Sequence, residues 1–206
     1  MDGIQLNFID QSNDANNSSV VIFQRNEATS FDEQAVAWQV IQSGGRGYKH
    51  PFKWPLACIV AARDNWGNCT PGVPAEPGQV FRMVSTSSGD QLQAAGPASN
   101  AQEIQIVNGL PTGSIDAEVY KDGRLLATRT GVSPQQKAVF QFKPTIWIGV
   151  VSQLAPGQVI NSAIISSVNT ELNLLGIASA DIVMTGGGRG PNAQPFAFTL
   201  QNVVTA

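Results

Sequence analysis

Charge is scarce in this chain. Asp, Glu, Lys and Arg make up 13% of its 206 residues, about half the share of an ordinary soluble domain. The balance is slightly acidic, with a formal net charge of −3. Nucleic-acid binding needs a basic face that displaces phosphate counterions, so that class of partner is excluded. Histidine is scarcer still, His50 being the only one. Zinc sites built on several imidazoles and the two-His, one-carboxylate iron triad are therefore excluded. There is no G-x-S-x-G elbow, Walker A loop or dinucleotide fingerprint, and no catalytic residue or cofactor is expected.

Only two cysteines occur, Cys58 and Cys69. They bracket Asn65-Trp66-Gly67-Asn68, a tetrapeptide suited to a hairpin turn that would put the thiols on neighbouring strands. A cytosolic home favours two free thiols over a bridge. No apolar run is long enough to span a membrane. The opening residues lack a basic segment and an apolar h-region, which predicts a cytoplasmic protein as synthesised, or one released by a signal-peptide-independent route.

What the chain does have is hydrophobic residues, at 42%, and many short strand signals separated by turn residues. Ile4 to Phe8 alternates apolar and polar, Val20 to Phe23 is a β-branched run, and Val36, Trp38 and Val40 alternate again. Ser30 to Glu33 fits a capping box, so one helical turn there competes with strand. Ile115 to Tyr120 leads into Asp122-Gly123, a pair suited to a type I′ turn, and then Leu125 to Arg129. Counting back from that turn pairs Val119 with Leu126 and Asp116 with Arg129. Val139 to Phe142, Ile146 to Val151, Asp181 to Met184 and Phe196 to Leu200 supply further strands. Ile164, Val168, Leu172 and Leu175 recur at helical spacing within Asn161 to Ser179, with Gly176 as a cap. The pattern predicts an all-β fold, an antiparallel β-sandwich forming a single domain over 1–206, with one short helix around 162–176 or a pair of strands in its place. No internal repeat is visible.

Three loops invite a functional reading. Thr185-Gly186-Gly187-Gly188-Arg189-Gly190-Pro191 could wrap an anion with backbone N–H groups, but no helix follows to complete a phosphate cradle, which favours an inter-strand loop. Asp10, Ser12, Asp14 and Asn16 alternate oxygen ligands as a calcium loop does, without the glycine and distal glutamate of an EF-hand. An Asx-rich turn accounts for them, and no metal is expected. Gly44 to Pro55 interleaves cations with aromatics. Arg46, Tyr48, Lys49, His50, Lys53 and Trp54 are the candidate ligand-binding residues, because aromatic faces take sugar rings or lipid headgroups while cations hold an anionic group. The competing reading makes Phe52 and Trp54 core plugs with solvated cations beside them.

VVIFQRNEATSFDEQAVAWQVIQ, AVFQFKPTIWIGVVSQ and NTELNLLGIASADIVMTGGG together resemble a family of short, uncharacterised microbial β-rich proteins. Some members carry a ring-opening dioxygenase label. The resemblance covers most of the chain and implies no established activity. Extradiol chemistry needs an iron triad that one histidine cannot build, so no functional residue is transferred. The residues point to a non-enzymatic sandwich that binds or self-assembles, its partner being itself, as homo-oligomer or filament, or a glycan or lipid headgroups. The alternative is a membrane-acting, pore-forming or insecticidal-type toxin, with the aromatic-basic loop at the membrane and the Asn161 to Ser179 segment inserting.

Overall fold

The computed structural model describes residues 3–16, 18–28, 35–152, 154–160 and 170–206. The strands are β1 (Gly3–Asp10), β2 (Ser19–Phe23), β3 (Gln39–Gln42), β4 (Lys49–Pro55), β5 (Cys58–Asp64), β6 (Val73–Ala75), β7 (Gln79–Thr86) and β8 (Gly89–Pro97). There follow β9 (Glu103–Asn108), β10 (Ile115–Lys121), β11 (Arg124–Val132), β12 (Lys137–Gln141), β13 (Thr145–Val151), β14 (Thr170–Asn173), β15 (Ile177–Gly187) and β16 (Gln194–Thr205). A 3-10 turn, Gly190–Asn192, precedes the last strand. The fold is all-β and sandwich-like, as the alternating pattern predicts.

Where the sequence shows no dividing linker within 1–206, the chain gathers into two compact units. Unit 1 takes Met1–Gln24, Ala37–Leu56 and Pro144–Ala206. Its sheets run in the order β16-β15-β1-β4 and β14-β13-β2-β3. Leu6, Phe8, Ile22, Ile146, Ile148, Ile182 and Met184 form its core, with Trp38 edge-on to Trp54 at a centroid distance of 4.7 Å. Unit 2 takes Arg25–Val36 and Ala57–Lys143. Its sheets run β12-β9-β7-β8 and β11-β10-β5-β6. Phe81, Met83, Ile106, Phe140, Val60, Val119 and Leu126 are buried there.

The two units have the same topology, so the absence of a repeat is corrected. β1 to β4 correspond to β9 to β12, and β5 to β8 correspond to β13 to β16. Each unit has one sheet with a parallel central pair, β1 with β15 or β9 with β7, and one wholly antiparallel sheet. Register agrees as well. Phe8 lies opposite Ile182 and His50, while Ile106 lies opposite Phe81 and Ala138. Asp10 N–H donates to Tyr48 O and its carbonyl accepts from Gly47. Asn108 does the same with Gln136 and Gln135. Gln11 N–H donates to Met184 O, and Gly109 N–H to Met83 O, at 2.9 Å each. Gly47 and Gln135 both have positive φ, 91° and 63°.

Each unit therefore draws one four-stranded half from 3–97 and the other from 103–205. The β2–β3 connection already enters unit 2 over Arg25–Val36; the chain then passes to unit 2 again through Leu56 and Ala57 and returns through residues 142–144.

Two local expectations are revised. The capping box at Ser30 to Glu33 lies outside the described residues, as does 161–169 of the helix candidate. The described part of that candidate is not helical: Thr170–Asn173 pairs antiparallel with β13, and Leu172 is buried opposite Ile146. Spacing by four, as from Ile164 to Val168 to Leu172, is also a multiple of two, so it keeps residues on one face of a strand as well as of a helix. Gly176 does take positive φ, 72°, but at a turn between strands. In the β10–β11 hairpin, Asp122 and Gly123 have φ of 51° and 69°, as a type I′ turn requires. A bulge then shifts the register, so Val119 faces Ala127 and Ala117 faces Arg129. One unpaired residue moves every later pair by one, and Asp116 instead lies opposite Arg63 of β5.

Candidate functional site

The aromatic-basic stretch is mostly a strand rather than a loop, and its pleat separates the two chemistries. Directly paired residues of an antiparallel ladder share a face. His50, Phe52 and Trp54 lie opposite Phe8, Leu6 and Ile4, on the buried side. Lys49 and Lys53 lie opposite Ile9 and Gln5, on the other face, and both are exposed. Tyr48 stacks on His50 at 6.4 Å, and His50 meets Phe52 at 6.4 Å. The Gln39 amide lies 3.0 Å from His50 Nε2, occupying the one imidazole. Trp54 is only 3% exposed, a core residue against Trp38. Arg46 stays in the preceding loop and donates to Asn13 Oδ1 at 3.0 Å. The six residues thus do not converge on one surface.

The other two loops are occupied by their own bonds. Asp10 Oδ1 accepts from the backbone and hydroxyl of Ser12 at 2.8 and 2.6 Å, and its Oδ2 accepts from the Ser43 hydroxyl. Asp14 accepts from the N–H groups of Asn16 and Ser18. Burial pushes its carboxyl up, but these bonds outweigh burial and hold it below the usual carboxylate range. These are Asx turns. In the glycine run, Gly188 N–H donates to Asn13 O at 3.0 Å, and Asn13 N–H to Gly186 O at 2.8 Å. A Cβ on Gly186 would sit 2.1 Å from Pro195 O, so glycine is there to let two backbones approach.

The site that the sequence reading missed lies in unit 2. A cavity of about 390 Å³ is lined by Asp64, Asn68, Cys69, Thr70, Met83, Gly89 and Asp90. Its frame is the β5 turn. Asp64 accepts from the N–H groups of Trp66 and Asn68 and from the Asn68 side-chain amide. The Asn68 amide leads in holding the Asp64 carboxyl below the usual range. Thr70 ties the returning chain to Ala62 by its N–H and its Oγ1. Trp66, at the tip, is 84% exposed. The tetrapeptide is thus a turn, but both cysteines are free: Cys69 bridges to Arg63 while Cys58 pairs with Ala75.

Beside this turn, Glu118 of β10 is nearly buried. It accepts from Arg63 Nη2 at 3.0 Å and from the Tyr120 hydroxyl at 2.7 Å. Burial, followed by the bond to Glu118, pushes the Tyr120 hydroxyl up to about 12. Arg63 rather than Arg129 answers Glu118, because β5 brings its cation to that carboxylate, while Asp116 Oδ1 accepts from the Gly131 N–H at 2.9 Å. Burial pushes the Cys58 thiol up and the Lys121 ammonium down. Among the described residues, no group of three or more His, Cys, Asp or Glu could hold a metal ion, and no helix is long and apolar enough to cross a membrane.

No family model, curated protein or solved structure matches this chain.

Proposed function

We propose that this protein is a non-catalytic β-sandwich protein that works by associating with copies of itself. The observation that carries this reading is strand β16. Among the described residues it pairs with β15 alone, has no charged residue along its twelve, and near its end carries Val203 and Val204, which are 46% and 55% exposed. Open strand edges are normally guarded by Lys, Pro or short length. The opposite edge of the same sheet, β4, has such guards: Lys49, Pro51, Lys53 and Pro55. On β16, Pro195 and a bulge at Asn202, with φ 49°, leave Ala197 to Gln201 as the regular, unguarded run. Two neutral edges meet without charge repulsion.

Light scattering with negative-stain imaging, in buffer and with mixed-lipid liposomes, tests this. Large regular particles in buffer are expected, and Thr199→Lys with Gln201→Lys should dissolve them by guarding the edge. A single-chain mass in buffer at every concentration would overturn the reading. Growth only on liposomes would favour the membrane-acting alternative.

A second reading, glycan binding in the unit 2 cavity, is favoured by one observation. An indole 84% exposed, on the turn whose Asp64 and Asn68 line the cavity, is costly in water and offers a flat face for a sugar ring. Quenching or enhancement of tryptophan fluorescence by a glycan panel, lost in Trp66→Ala, would support it.

A further inference from the structure

Unit 1 is closed without a covalent joint inside it. Its halves, β1 to β4 and β13 to β16, meet through pairing of β1 with β15 and of β2 with β13 and through backbone bonds such as Gly188 N–H to Asn13 O and Ala37 N–H to Gln158 O. The covalent path from one half to the other runs through Ala57–Lys143 of unit 2. In unit 2 the corresponding halves are joined directly, β8 to β9, by residues 98–102. The eight strands of residues 3–97 contain every strand type that one unit needs. Even so, β1 to β4 pair with strands of the other repeat rather than with β5 to β8. The second half, β13 to β16, is reached from unit 2 through the short stretch 142–144, which contains Pro144. Short hinges of this kind are what make neighbouring copies exchange elements.

We propose that unit 1 also closes between molecules, so that the partner of this chain is a second copy supplying the missing half. The edges of β1 and β2 that accept β15 and β13 cannot distinguish the chain's own half from an identical one. What favours closure within one chain is effective concentration, which for short tethers is on the order of millimolar. Exchange therefore grows with protein concentration and with any treatment that opens unit 1. Two chains can close reciprocally into a ring, or each can pass its free half to a third and extend a line. The inference rests for its use on the self-association reading above, and for its geometry on the repeat alone.

Two full-length variants test it. Phe8→Asp buries a charge in β1 and spoils the first half, and Ile182→Asp does the same to the second. Neither chain alone can build a sound unit 1. Refolded together, the intact β1 to β4 of Ile182→Asp and the intact β13 to β16 of Phe8→Asp should meet in trans. Native mass spectrometry should then show a mixed dimer of twice 21.8 kDa that neither variant forms by itself. A mixture that stays as separate chains, with unit 2 folded in both, would overturn the proposal. Should either variant precipitate, isotopically light and heavy wild-type chains refolded together at high concentration decide it. Mixed-mass oligomers that survive dilution support exchange, and single chains throughout refute it. Mixed dimers without large wild-type particles would keep exchange and remove the β16 edge as the contact. Particles without mixed dimers would do the reverse and leave the β16 edge as the contact.

Discussion

Asp10 in unit 1 and Asn108 in unit 2 occupy the same place, at the end of a central strand, with matching backbone bonds on both sides. Both are fully buried, and both use Oδ1 to accept an N–H two residues on, from Ser12 or Leu110. Their other atoms differ in sign. Asp10 Oδ2 accepts a hydroxyl from Ser43, whereas Asn108 Nδ2 donates to Gly113 O and Val132 O at 2.8 Å each. A second pair of positions differs more. Where unit 2 has Arg63 and Glu118, unit 1 has Val151 and Val21, both buried. One backbone frame thus accepts opposite chemistries, provided each buried polar atom finds a partner. Register and burial define the unit, and side-chain identity is free to vary within them.

The comparison is broken most strongly at the cores. Phe8→Ala should cost about 3–5 kcal/mol, and should unfold unit 1 at a denaturant concentration where unit 2 persists. Tryptophan fluorescence reports unit 1 through Trp38 and Trp54, and Trp66 reports unit 2. A single shared transition would mean that the units fold as one.

The buried Asx pair gives the next effect. Asn108→Asp sets a carboxylate against two carbonyl oxygens and should cost about 3 kcal/mol. Asp10→Asn keeps one acceptor and should cost about 1 kcal/mol. Equal losses in urea melts of the two variants would show that the surroundings are interchangeable after all.

Smaller still is Glu118→Gln. Arg63 is 43% exposed, and the exchange should cost less than about 1 kcal/mol in a urea melt. The same cluster makes a pH prediction that unit 1 lacks. Tyr120 is held to about 12, above the ordinary tyrosine value of about 10. Between those values the unfolded chain gives up the proton that the folded chain keeps, so stability falls as pH rises through the window. Tyr120→Phe should flatten that fall.

The smallest effect expected is that of circular permutation. Ile177 pairs with Thr205 and Ser179 with Gln5, so the start of β1 and the end of β16 flank the same end of β15. They lie about two strand spacings, roughly 10 Å, apart. A five-residue join there, with the chain opened at 98–102, simply exchanges the two repeats. It should shift stability by under about 1 kcal/mol, because loop tips tolerate such changes. Loss of folding would show that the units are not equivalent.

Much of the fold was legible as pattern. Ile4 to Phe8, Val20 to Phe23, Ile146 to Val151 and Asp181 to Met184 all lie in strands, and Asp122-Gly123 turns the hairpin as its tolerance of positive φ demands. The repeat was not legible, because its halves match in register and burial rather than in residue type. KHPFKW and KAVFQF, at β4 and β12, are the clearest trace of it. That the six ligand candidates lie on different faces was not legible, because a strand of period two sends neighbours in sequence to opposite faces. Alternation cannot be applied until it is known that Lys49 to Pro55 is a strand.

By itself, the sequence determined the strand content, the turns that need glycine or Asx residues, and the poverty of charge that leaves β16 unguarded. These depend on a few neighbouring residues, through backbone φ, side-chain alternation and solvation. Only the tertiary structure decided which strands pair, that β1 joins β15 across most of the chain, and that Asp64 and Asp90 line one cavity. Those outcomes depend on closing long loops, whose entropic cost grows slowly with length and leaves no mark on the residues between.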